Sequence, residues 1–88
     1  MTHRLFVEFN VAEGFVIRTI GLIERRGFCV RRIAMAEQPC GRRATLALEV
    51  NPRDAGRSMD TLVRQIERLH GVSRVTHEGS FFFQEQAA

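Results

Sequence analysis

The 88-residue sequence contains no lysine; all 13 of its basic residues are arginine. Guanidinium groups bind phosphate bidentately, but 10 carboxylates are interspersed among them and no long basic run forms. The net charge of +3 therefore reads as an arginine-biased solvated surface, and no nucleic-acid partner is expected. Long apolar runs are missing too. No stretch approaches the ~20 residues needed to span a bilayer, and MTHRLFVEF at the N-terminus lacks the basic-then-apolar layout of a secretory signal. The expectation is a cytoplasmic protein with no membrane partner. Cysteine is scarce. Cys29 and Cys40 fall toward opposite ends of one predicted strand, roughly 20 Å or more apart at ~3.3 Å per residue, beyond disulfide reach. Without CxxC spacing they also make a poor metal site, so both are expected as reduced thiols, one partly buried.

Catalytic groups are equally thin. His3, His70 and His77 are scattered over the N-terminus, a helix end and a strand. No serine or cysteine has an evident His/Asp partner, and no carboxylate pair sits at acid/base spacing within one element. The glycines form neither a P-loop nor a dinucleotide fingerprint. A non-enzyme is expected, with no catalytic residues, no cofactor and no metal.

What the sequence does have is periodicity. Residues 4–10 alternate, with Leu5, Val7 and Phe9 inward. After a short loop, Phe15–Arg26 reads as a helix whose apolar face is Val16, Ile20 and Ile23, flanked by Phe15 and Leu22. Arg25 and Arg26 complement its dipole, and Gly27 supplies a left-handed C-terminal cap. Phe28–Met35 reads as a strand with a parity slip, since Phe28 and Val30 share one parity and Ile33 and Met35 the other; a bulge near Arg31–Arg32 reconciles them. Gln38-Pro39-Cys40-Gly41 suits a hairpin turn. Ala44–Val50 alternates cleanly. Asp54 or Ser58 can cap a second helix carrying Met59, Leu62, Val63, Ile66 and Leu69. Gly71 closes it, and Val72–His77 forms a short last strand. The cluster Phe81-Phe82-Phe83 is expected to extend the sheet or to cover a partner surface.

The order β-α-β-β-α-β, with right-handed crossovers, predicts an α+β, ferredoxin-like fold: a four-stranded antiparallel sheet with two helices on one face. The first and third strands become central and the second and fourth become edges. An exposed edge invites pairing with a second copy, so a homodimer through edge strands is expected. Residues 1–79 make the domain and 80–88 a C-terminal tail.

Two segments bear on binding. Arg26-Gly27-Phe28-Cys29-Val30 faintly echoes the aromatic-basic strand of an RNA-recognition motif, but the second aromatic is replaced by Arg32 and the strand is the wrong one; Phe28 is expected in the core. The Asn10–Val16 loop has two readings. Free N–H groups at a helix start suit a carboxylate, Gly14 lets a ligand approach the backbone, and Asn10 offers both a donor and an acceptor. Equally, it is an ordinary strand-to-helix turn that uses Gly14 for its dihedral angles.

At these residues the sequence resembles an ACT domain, specifically the small regulatory subunit of acetolactate synthase in its short, ACT-only form. Gly14, Arg18, Gly21, Leu22 and Arg25-Arg26-Gly27-Phe28 stand in that family's relative spacing. Leu62-Val-Arg-Gln-Ile-Glu-Arg-Leu, followed by Val72 and Val75, resembles its second half. The likeness spans roughly residues 4–78. It implies a non-catalytic partner of a thiamine-diphosphate-dependent large subunit in branched-chain amino acid synthesis. It also implies an amino-acid effector, a branched-chain one for this family, held between the first loop and a neighbouring chain's second strand. Carried over, the ligand-binding residues are Asn10, Glu13, Gly14, Phe15, Val16 and Cys29. Glu13 stands where the family carries proline, Cys29 where it carries a valine-binding asparagine, and the Asn10–Gly14 spacing is one residue longer. A free-standing amino-acid sensor is the alternative, and a nucleic-acid-binding domain of the same fold a more distant one.

Overall fold

A computed structural model describes residues 2–81 of the chain. The elements run β1 (Thr2–Asn10), α1 (Phe15–Arg25), β2 (Phe28–Glu37), β3 (Arg43–Pro52), α2 (Met59–Glu67) and β4 (Val72–Phe81). All neighbouring strands are antiparallel, in the order β2-β3-β1-β4. β1 and β3 are thus central, as the alternation of Leu5, Val7, Phe9 and of Ala44, Leu46, Leu48, Val50 requires. Every one of these seven side chains is buried. They form one core with Phe28 of β2 and with Phe15, Leu22, Ile23, Leu62 and Ile66 of the two helices. Phe28 belongs to this core.

The junctions follow local chemistry. Gly27 has φ +91° and donates to the Glu24 carbonyl (3.1 Å), ending α1 in the left-handed region that glycine enters at little cost. Ser58 caps α2, its Oγ accepting from Thr61 N–H at 3.3 Å. The hairpin closes through Gln38 N–H to the Arg43 carbonyl (2.9 Å) and Gly41 N–H to the Gln38 carbonyl (2.8 Å). Cys29 is partly buried and Cys40 exposed, both as free thiols.

The β2 register shifts between Val30 and Arg32, leaving Arg31 as the extra residue. Beyond the bulge, Ile33 lies opposite Leu48 and Met35 opposite Leu46. Cross-strand partners share a face, so both turn to the helix side, yet they remain 43% and 46% exposed because α1 does not cover the far half of this edge strand.

Two features depart from the sequence reading. The deepest stripe of α1 is Phe15, Thr19, Leu22 and Ile23, displaced from the expected Val16–Ile20–Ile23 face. Apolar counting passes over Thr19, whose hydroxyl is satisfied by donating to the Phe15 carbonyl at 2.9 Å and so tolerates full burial. β4 continues to Phe81 rather than stopping at His77, paired along β1 as far as Thr2 with a register shift; its polar alternation is that of an edge strand and carries no apolar signal. The rest of the phenylalanine cluster, Phe82 and Phe83, lies outside the described residues.

Candidate functional site

The first loop leaves β1 where three strand ends meet. Asn10 N–H donates to the Gly71 carbonyl (2.8 Å) and Val11 N–H to the Arg42 carbonyl (2.8 Å). Arg43 reaches across to the Ser73 hydroxyl (2.6 Å). The chain then turns through Ala12 and Glu13, with Phe15 N–H on the Ala12 carbonyl (3.2 Å). Gly14 adopts φ +79° and ψ −1° at the N-cap, and its carbonyl accepts the first helical bond from Arg18 N–H (3.0 Å). The turn needs the positive φ of Gly14, which is the reading of this residue that the geometry bears on directly.

No side chain caps α1, and its first turn holds no acidic residue. α2 has both, in Ser58 and Asp60. The start of α1 therefore lacks a side-chain cap and a first-turn carboxylate for its N–H groups, the nearest acidic residue in sequence being Glu13 just before the N-cap. Arg18 adds a full charge: its guanidinium folds back to the Glu13 carbonyl (3.4 Å) and lies 3.1 Å from where a Gly14 side chain would begin. The loop thus collects a helix N-terminus, a guanidinium and the exposed Asn10 amide, a donor set suited to a carboxylate.

The expected ligand residues divide into three groups. Asn10, Glu13 and Gly14 are exposed around the loop and Val16 is half-buried beside it. Phe15 is buried, stacked on Phe9 with ring centroids 4.1 Å apart; its side chain anchors the loop to the sheet and is not available to a ligand. Cys29 lies opposite Asn51, at the sheet end where β1 begins. At ~3.3 Å per residue that is roughly 25 Å or more from Asn10, so one chain alone does not bring Cys29 to the loop. Arg18 was absent from the expected set. Its signal was its place four residues after Gly14, because helical side chains lean toward the N-terminus.

Two other features stand apart from the loop. A depression of about 570 Å³ lies on the sheet face away from the helices. Phe6, Ala47 and Ala34 form one row of its lining, and Arg4, Glu49 and Arg32 the next. Glu49 pairs with Arg4 (3.4 Å) and Arg32 (3.9 Å). The histidines are less scattered than the sequence suggested, since antiparallel pairing of β1 with β4 brings His3 and His77 together. Burial, then the nearby His77, then the amino terminus lower the pKa of His3.

Comparison with known proteins places this geometry. The ACT domain family model matches residues 11–75. The ACT domain of a GTP pyrophosphokinase from Chlorobium tepidum superposes with a TM-score of 0.71 at 15% identity, covering 89% of this chain and 97% of that one. The C-terminal domain of the MgtC protein from Mycobacterium tuberculosis gives 0.68 at 15% identity, with 88% and 84% covered. A formyltetrahydrofolate deformylase from Burkholderia mallei gives 0.66 at 18% identity over 90% of this chain and 28% of that one. At such identities these structures establish the shared fold alone. No curated protein matches the chain by sequence.

Proposed function

We propose, from the premise that this chain belongs to the ACT domain family, that it is a non-catalytic regulatory subunit resembling the acetolactate synthase small subunit. ACT domains are regulatory modules that bind small molecules. Among the described residues no cluster of three or more metal-ligating groups exists, and no helix is long and apolar enough to cross a membrane. The observation that carries the finer reading is the segment Gly14–Phe28, whose Gly14, Arg18, Gly21 and Arg25-Arg26-Gly27-Phe28 keep that family's spacing. In this reading the chain docks on a thiamine-diphosphate-dependent large subunit and shifts it between less and more active states.

The effector site belongs to a homodimer. Two-fold antiparallel pairing of β2 edges reverses the partner strand, so the partner's Cys29 comes to the end of the sheet that carries the first loop. The α1 N-terminus, Arg18 and Asn10 hold the carboxylate of a free amino acid, and the partner's β2 closes over its side chain. Cys29 is a weak hydrogen-bonding group, so the pocket selects by shape at that wall.

Co-expression with the acetolactate synthase large subunit from the same organism tests the assignment. Co-purification and a changed turnover rate are expected. A large subunit whose rate and elution are indifferent to this chain overturns it. Calorimetry with valine, leucine and isoleucine then tests the pocket separately. Saturable binding lost in Arg18→Ala is expected, and no heat with any of the three removes the effector while leaving the docking function standing.

A further inference from the structure

His3 and His77 meet far from the first loop, at the sheet end where β1 starts. His77 lies opposite Leu5 on β4, and His3 precedes Leu5 by two residues on β1, so all three point to the same face. His3 Nδ1 stands 3.1 Å from His77 Nε2. The ring centroids are 5.2 Å apart and the planes tilt by 43°. Both side chains are half-buried.

Two ring nitrogens this close cannot both present lone pairs to each other with nothing between them; a hydrogen or a metal ion has to join them. A shared proton is one such link, giving an ordinary imidazole–imidazole hydrogen bond. A metal ion is the other, and the spacing suits it. With metal–nitrogen bonds of about 2.0–2.1 Å, nitrogens 3.1 Å apart subtend roughly 95–100° at the metal. That lies between a right angle and the tetrahedral angle, within the range that neighbouring ligands occupy in common coordination shells. The positions are also pre-organised, because both histidines stand on paired strands rather than on loops.

We propose that His3 and His77 form an open two-histidine site for a divalent transition-metal ion of the zinc type, the ion taking the place of the proton the pair otherwise shares. Imidazole is a favoured ligand for such ions, whereas calcium and magnesium prefer oxygen donors. Among the described residues no third histidine, cysteine or carboxylate completes the group. The remaining coordination positions go to water, and the affinity is accordingly that of a two-ligand site.

The test is a Zn²⁺ titration of the full chain carrying Cys40→Ser, which removes the exposed competing thiol. It is followed by calorimetry and by the imidazole nitrogen signals. One ion per chain is expected, with the His3 and His77 signals moving together while His70 stays still. His77→Gln and His3→Gln should each weaken binding by about an order of magnitude or more, with unchanged thermal midpoints in the absence of metal. Three results overturn the proposal. One is no saturable binding up to millimolar Zn²⁺, which leaves only a shared proton. Another is equal movement of His70. The third is affinity that survives His77→Gln, which places the ion away from the pair.

Discussion

At the scale of single residues, Gly27 is the position most sensitive to a methyl group. It sits at φ +91°, and the Arg57 side chain occupies the space a Cβ would take. Gly27→Ala should lose about 1–2 kcal/mol from the left-handed backbone alone, read as a lower urea midpoint. Gly56, with no positive φ and only Asp54 Oδ1 at 3.5 Å, serves as the control; Gly56→Ala should stay within about 0.5 kcal/mol of the parent. The same scale separates the two thiols. Cys40 Sγ accepts from Arg42 N–H at 3.4 Å, and this bond, then that from Arg43, favours the thiolate and lowers the Cys40 pKa. A lowered thiol pKa means more thiolate at a given pH below it. Iodoacetamide should therefore modify exposed Cys40 before partly buried Cys29, with a pH–rate midpoint below that of an ordinary free thiol. Peptide mapping after brief alkylation at neutral pH checks the order, and equal or reversed labelling contradicts it.

At the scale of elements, the two helices start differently for a reason the sequence displays. α2 opens with Ser58 and Asp60, while α1 opens with Gly14 and no acidic residue. Ser58→Ala removes the one side-chain cap and should cost about 1 kcal/mol, measured by chemical unfolding, whereas Gly14 has no cap bond to lose. Most elements were legible because apolar spacing and turn residues agreed, as in β3 and at Gly27. Even the β2 bulge was legible, since the parity change between Val30 and Ile33 has no other simple cause. What escaped was whatever depends on individual side-chain contacts, some within a turn and some distant in sequence. Thr19 is buried because its hydroxyl is satisfied by the turn before it, and β4 runs past His77 because β1 pairs with it that far. Arg18 folds over the loop, and His3 meets His77 from 74 positions away, neither of which composition or apolar periodicity encodes. For the loop, the sequence indicated Asn10 to Val16 as one neighbourhood but could not assign Phe15 to the core rather than to a ligand.

At the scale of the whole molecule, the open question is what covers the outer edge of β2. Ile33 and Met35 face the helix layer but are left uncovered by it. Ile17, 77% exposed on the outer side of α1, shows that isolated apolar exposure occurs elsewhere on this surface and by itself means little. The β2 pair differs because it stands on an edge strand whose free N–H and C=O groups can extend the sheet. If a second copy pairs there, burial of Ile33 and Met35 stabilises the dimer and not the monomer fold. Ile33→Glu with Met35→Glu should therefore convert a dimer into a monomer by sedimentation. Its unfolding, followed in the monomeric range of concentrations, should differ from the parent by no more than about 0.5 kcal/mol. The same variant should lose the amino-acid heats of the parent, because in the proposed site the second wall comes from the partner. A parent chain that sediments as a monomer at all concentrations, or a variant that remains dimeric, rules out pairing through β2. A monomeric variant that still binds an amino acid with parent affinity would instead place the whole ligand site within one chain, on the loop and Arg18 alone.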